Sequence, residues 1–127
     1  FGMVTTNKDD LGIGQLLEHG LANFNFVGPM VYPSHYPDGW NNFSNPADHP
    51  YDVIKLSMGP AITRAEAMGL TRDSLRPWIQ DFNLGATYTA EMVRAQITAL
   101  DDLGIDSWMI WDPSNTYTAG ALKKETE

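Results

Sequence analysis

The feature that most constrains this chain is a repeated switch of hydrophobic period. Four short apolar runs of strand length, Phe1 to Val4, Phe26 to Tyr32, Leu75 to Phe82 and Ser107 to Trp111, alternate with segments whose apolar residues recur at helical spacing. The first such segment runs from about Leu11 to Phe24, with Ile13, Leu16, Leu17 and Leu21 on one face and Asp10 as its expected N-cap. In the second, Tyr51 to Met68, apolar residues fall at Val53, Ile54, Met58, Ile62 and Ala65; Gly59-Pro60 should kink or split it, and Gly69 should stop it. Thr89 caps the third, which is apolar at Met92, Val93, Ile97, Leu100 and Leu103 and closes at Gly104. Strands separated by connections of this length pair in parallel, because antiparallel neighbours need only a tight turn. The expected class is therefore α/β, with helices covering a parallel sheet. Pro77 is compatible with such a sheet only near the start of a strand or at a bulge.

Length sharpens the topology. The 127 residues hold about four βα units of roughly 30 residues, whereas a complete (β/α)8 barrel takes about 250. Half a barrel is the expectation. The first residue is Phe rather than Met, which fits a chain that begins inside a longer protein. Between Pro33 and Pro50 lies a connection about three times the usual length, rich in Pro, Asn and aromatics, which reads as an ordered functional loop.

Charge and composition remove several functions. Sixteen Asp and Glu against eight Lys and Arg give a net charge of −8, which repels nucleic acid and anionic lipid. No apolar run approaches the roughly 20 residues needed to span a bilayer, so membrane insertion is not expected. The absence of cysteine excludes disulfides, thiolate zinc sites and cysteine nucleophiles. His19, His35 and His49 lack metal-ligand spacing, and Gly12-Ile13-Gly14 lacks the third glycine of a phosphate loop; neither a metal nor a cofactor is predicted. Ser34 and His35 are adjacent, and on an extended segment neighbouring side chains point apart, which argues against a Ser-His catalytic pair.

Four separated motifs carry a resemblance. Gly28-Pro29-Met30-Val31-Tyr32-Pro33-Ser34-His35-Tyr36, Arg76-Pro77-Trp78-Ile79-Gln80-Asp81-Phe82, Arg94-Ala95-Gln96-Ile97 and Trp108-Met109-Ile110-Trp111-Asp112 occur in order over nearly the whole chain. Together they resemble the C-terminal half of a bacterial glycoside hydrolase domain family, long known as a domain of unknown function and grouped with TIM-barrel glycosidases. The resemblance implies that the strands are the fifth to eighth of a barrel and that a strand 4 acid lies upstream. It implies a domain over 1–122 followed by a tail, 123–127. Asp112 departs from the pattern, which leads one to expect Asn there.

In such a barrel the site lies at the C-terminal ends of the strands. Glycoside hydrolysis needs two carboxyl groups about 5 to 5.5 Å apart for retention or 6.5 to 9.5 Å for inversion. Asp81 and Asp112, at adjacent strand ends, are the candidate catalytic pair. Their structural alternatives are a loop cap or a pairing with Arg76 or Arg94 for Asp81, and an Asp-Pro turn for Asp112. Candidate substrate contacts are the aromatic faces of Tyr32, Tyr36, Trp78 and Trp111 and the polar groups of His35, Gln80 and Asn115. Alternation puts Arg76, Trp78 and Gln80 on one face and Ile79 and Asp81 on the other, the first set suiting the barrel interior. Gln96 is expected to close a neighbouring backbone group.

The leading expectation is a polysaccharide hydrolase using two-carboxylate chemistry, secreted or in the cell envelope, with this chain carrying part of the site and inactive alone. A carbohydrate-binding barrel without catalysis is the alternative, and a flavodoxin-like small-molecule-binding domain is a third. Unpaired strand edges predict self-association of the half-barrel.

Overall fold

The computed structural model describes residues 1–122; the expected tail, 123–127, lies outside the described residues. Three α-helices, α1 (Leu17–Asn23), α2 (Pro50–Ala67) and α3 (Ala90–Asp102), accompany two short strands, β1 (Trp78–Gln80) and β2 (Met109–Trp111). The strands are parallel, with Trp78 opposite Met109, Ile79 opposite Ile110 and Gln80 opposite Trp111. On the other edge of β1, segment 27–31 continues the sheet through parallel bridges from Val27 to Leu75 and from Met30 to Trp78. Neighbours in the sheet are thus neighbours in sequence, with α2 and α3 as the crossovers. This is a small α/β structure of parallel strands and helices, consistent with a partial βα domain. No helix among the described residues is long and apolar enough to cross a membrane.

Packing follows the alternation. Val31 and Ile79 are fully buried against Ile54, Met58, Ala61 and Ala65 of α2 and Leu100 of α3, with Leu17 and Leu21 of α1 completing the core. The opposite face carries Met30, Tyr32, Trp78 and Trp111 and has no helix against it among the described residues. Pro77 sits one residue before β1, where its missing N–H leaves the ladder intact, while its carbonyl accepts from Met109 at 2.9 Å.

Three expectations are corrected. Residues Gly2–Thr5 form a 3-10 turn, not a strand, because Thr5 Oγ1 bonds back to the Gly2 carbonyl at 2.8 Å. The guanidinium of Arg64 gathers the carbonyls of Val4, Thr5 and Asn7 at 2.6, 3.1 and 2.9 Å, which fixes that turn. The first helix begins at Leu17 rather than Leu11. Asp10 caps a turn through the Gly12 N–H, and Leu11, Gly12 and Gly14 take positive φ, incompatible with a right-handed helix. Finally, α2 runs unbroken through Gly59-Pro60. Pro60 is exposed, and the carbonyl it leaves without a donor is on the solvated side.

Other expectations hold. Thr89 accepts from the Met92 N–H at the start of α3, and Gly104 ends it in the left-handed region. The 33–50 connection is ordered as three 3-10 turns, Pro33–His35, Trp40–Asn42 and Pro46–Asp48. Aromatic contacts hold them, with Tyr36 on Trp40 at 4.5 Å and Phe43 stacked on His49 at 4.3 Å.

Candidate functional site at the strand carboxyl ends

The ends of segment 27–31, β1 and β2 bring most of the candidate residues together. Trp78 and Trp111, two residues out of register on neighbouring strands, meet edge to face with centroids 6.2 Å apart at 89°. With Met30 and Tyr32 they line an open cavity of about 380 Å³. A cavity of about 140 Å³, lined by Phe1, Met30, Tyr32 and His35, adjoins it. Phe82 joins the same wall, 5.4 Å from Tyr32 and 6.1 Å from His35. Gly28 makes room for this arrangement: a Cβ there would lie 3.3 Å from Trp78 Nε1 and 3.2 Å from the Met109 methyl. Trp111 remains 43% exposed and Met30 39%, so the wall leaves apolar surface open.

His35 and Ser34 require a correction. The 33–35 segment is a 3-10 turn, not extended, and Ser34 Oγ lies 3.0 Å from His35 Nδ1. Burial lowers the His35 pKa, so the imidazole is neutral at neutral pH. A larger cavity, about 580 Å³, opens near the start of segment 27–31 between Leu16, Phe24 and Val27, and none of the candidate site residues lines it.

Gln80 and Tyr36 are placed in the interior. Gln80 is fully buried; its amide accepts from the Ser34 N–H at 3.1 Å and donates to the Phe82 carbonyl at 2.9 Å. It therefore braces the turn that carries His35. Gln96 brackets the peptide groups of Gln80, accepting from its N–H at 2.9 Å and donating to its carbonyl at 2.7 Å. For the carbonyl the reason lies in the ladder: the next donor along the first segment would be residue 33, and Pro33 has no N–H. Tyr36 turns its hydroxyl onto Ser57 Oγ at 2.7 Å beneath the 33–50 loop, and burial drives its pKa far up.

The two acids follow β1 and β2 at matched positions. Backbone pairing continues between them, the Asp81 N–H donating to the Trp111 carbonyl at 2.9 Å. Alternation gives both carboxylates the parity of Ile79 and Ile110, toward the helices. Thr118 holds Asp81 with its N–H on one oxygen and its hydroxyl on the other, each at 2.6 Å. Asp81 thus takes its hydrogen bonds from this loop rather than from Arg76 or Arg94. Asp112 accepts from the Ser114 hydroxyl and from the Thr116 N–H at 2.9 Å. The Ser114 hydroxyl, foremost, and the Thr116 N–H hold its carboxyl below the ordinary range. Asn115 is exposed in that turn with φ 57°, its N–H bonded to the Asp112 carbonyl at 3.0 Å. Met30 and Phe82 were not anticipated as wall residues; Met30 shares the parity of Tyr32, which was the available signal, whereas Phe82 lies past β1, where alternation lapses.

Parallel strands, helices on one face and an aromatic wall at the strand carboxyl ends define a small α/β protein whose candidate site is placed where strands give way to loops. The chain belongs to the family described as "Putative glycosyl hydrolase domain", which it matches over residues 1–117. That membership implies a carbohydrate substrate. No curated protein and no solved structure matches the chain.

Proposed function

We propose that the chain is the C-terminal half of a (β/α)8 glycoside hydrolase domain and that its open aromatic wall holds a polysaccharide outside the cell or in its envelope. The wall of Trp78, Trp111, Tyr32 and Met30 around a cavity of about 380 Å³ carries this reading. A pyranose presents C–H groups on its faces and hydroxyls at its rim. Indole and phenol rings match the former, and the neutral His35 imidazole supplies a polar contact for the latter.

For hydrolysis, Asp81 and Asp112 stand one strand spacing apart, about 4.8 Å between backbones, which brings their carboxyls within reach of either glycosidase geometry. Asp112, held ionised, suits the nucleophile or base, leaving the acid to Asp81 or to a carboxyl elsewhere in the domain. The hydrogen bonds from Thr118, Ser114 and Thr116, on the helix-facing side, favour a second reading in which the wall binds carbohydrate and catalysis is absent.

Reducing-end release from a polysaccharide panel by the full-length protein that contains this half-barrel, unaltered and with Asp81→Asn, Asp112→Asn or Trp111→Ala, separates the readings. Loss of hydrolysis with retained binding in either Asn variant supports the two-carboxylate role. Undiminished hydrolysis in both removes it, and Trp111-dependent binding without hydrolysis by the unaltered protein establishes the second reading.

A further inference from the structure

His35, at the end of the aromatic wall, is fixed both through its backbone and through its ring. Gln80 is fully buried and has both ends of its amide engaged, accepting from the Ser34 N–H at 3.1 Å and donating to the Phe82 carbonyl at 2.9 Å. The side chain thereby ties the turn that carries His35 to the residue whose ring stands 6.1 Å from the imidazole. Tyr32 and Phe1 meet the same imidazole edge to face, at 5.3 and 6.5 Å. Ser34 Oγ lies 3.0 Å from His35 Nδ1 and has no other hydrogen-bond partner among the described residues. A neutral imidazole carries one N–H, and a hydroxyl hydrogen needs an acceptor. Partial burial lowers the His35 pKa and keeps the ring neutral, so the arrangement that satisfies both groups has Ser34 donating to Nδ1 and the ring proton on Nε2. The residue remains open to solvent, and it lines the cavity of about 140 Å³ whose other walls are Phe1, Met30 and Tyr32.

We propose that His35 is an oriented hydrogen-bond donor that reads one oxygen of the bound sugar through Nε2–H, with Ser34 setting its tautomer and Gln80 its place; this rests on the carbohydrate reading above. The wall and this donor differ in what they contribute. Ring faces take the C–H side of any pyranose, so they give affinity without choosing among sugars. One N–H held beside an apolar cavity discriminates, because a sugar without an oxygen at that spot leaves the donor unpaired. Ser34 and Gln80 are positioning residues, each acting on the ligand only through His35. Without the Ser34 hydroxyl the ring can take either tautomer, and in the Nδ1–H form Nε2 becomes an acceptor. The same division accounts for Gln80, which alternation puts on the face of Trp78 although its amide is spent on backbone groups.

Nitrogen-15 NMR of the His35 ring in the whole protein, at about pH 7.5 where an ordinary histidine is neutral, tests the tautomer without any ligand. The Nε2–H form is expected, and a ring protonated at Nδ1 overturns the proposal. Ser34→Ala should mix the two forms, whereas Ser34→Thr, which retains a hydroxyl, should keep the single one. Affinity electrophoresis in gels of mixed-linkage β-glucan, arabinoxylan, galactomannan or polygalacturonate then reads binding. His35→Ala should weaken retardation by at least one polymer about tenfold, the equivalent of one hydrogen bond. Ser34→Ala and Gln80→Met should each weaken it about threefold, and neither should cost anything more in the His35→Ala background. Losses that add to that of His35→Ala overturn the positioning roles, and Ser34→Ala keeps this test available if Gln80→Met does not fold. Binding indifferent to His35→Ala overturns the proposal and leaves the carbohydrate reading intact. Failure of every polymer to retard the unaltered protein overturns both.

Discussion

Glu18 and Arg64, 46 positions apart, meet in a two-point ion pair with both contacts at 2.5 Å. Neither residue stands out in the sequence, yet the pair ties α1 to α2, and the same guanidinium holds the turn at residues 2–5. Arg64 depresses the Glu18 pKa, chiefly through the hydrogen bond. A carboxyl whose pKa falls on folding adds stability that is present above its unfolded value, about 4.3, and is lost as pH drops through the folded value. Glu18→Gln should therefore lower the melting temperature at pH 7 and flatten its fall below about pH 4.3. Thermal unfolding across pH 3 to 7 checks this; a variant that keeps the full acid dependence counts against the assignment. Asp112→Asn belongs to the same scale. An amide still accepts from Ser114 and Thr116, so stability should fall only slightly, measured by urea unfolding.

At the scale of elements, the junction of α3 with β1 carries the sharpest expectation. Gln96→Leu preserves volume but leaves the Gln80 N–H and carbonyl buried without partners, at about 1–3 kcal/mol each. Urea unfolding should show a loss of roughly 2–5 kcal/mol, and a loss under about 1 kcal/mol would sink the bracket as a stability element. Elements whose signals are local were legible in sequence. Thr89, the Met92-to-Leu103 periodicity and Gly104 mark α3 completely, and the parity of Trp78 and Ile79 assigns the faces of β1. What failed depended on turn bonds that periodicity does not carry, as at Asp10 and Gly12, or on distant partners. Periodicity does not report the positive φ of Leu11, nor the Arg64 clamp that curls residues 2–5. The site divides the same way: Tyr32, Trp78 and Trp111 follow from strand parity, but the inward hydroxyl of Tyr36 and the spent amide of Gln80 depend on Ser57 and Ser34.

Across the whole molecule, one face of the sheet is closed by helices and the other is open. Ile79, sealed beneath α2 and α3, belongs to the closed side, and Ile79→Ala should cost about 2–5 kcal/mol by cavity formation. The open side, together with a β2 edge that has no further strand among the described residues, predicts concentration-dependent self-association. Sedimentation velocity from micromolar upward measures it, and one monomeric species throughout would remove the expectation. The Gln80 amide proton adds a gauge of another kind. It is bonded to a side chain of α3 instead of to a neighbouring strand, so its exchange with deuterated solvent reports when that helix lifts away. The neighbouring Trp78 amide, bonded to the Pro29 carbonyl, reports the parting of strands. Comparing the two isotope clocks would show which layer of the molecule opens first.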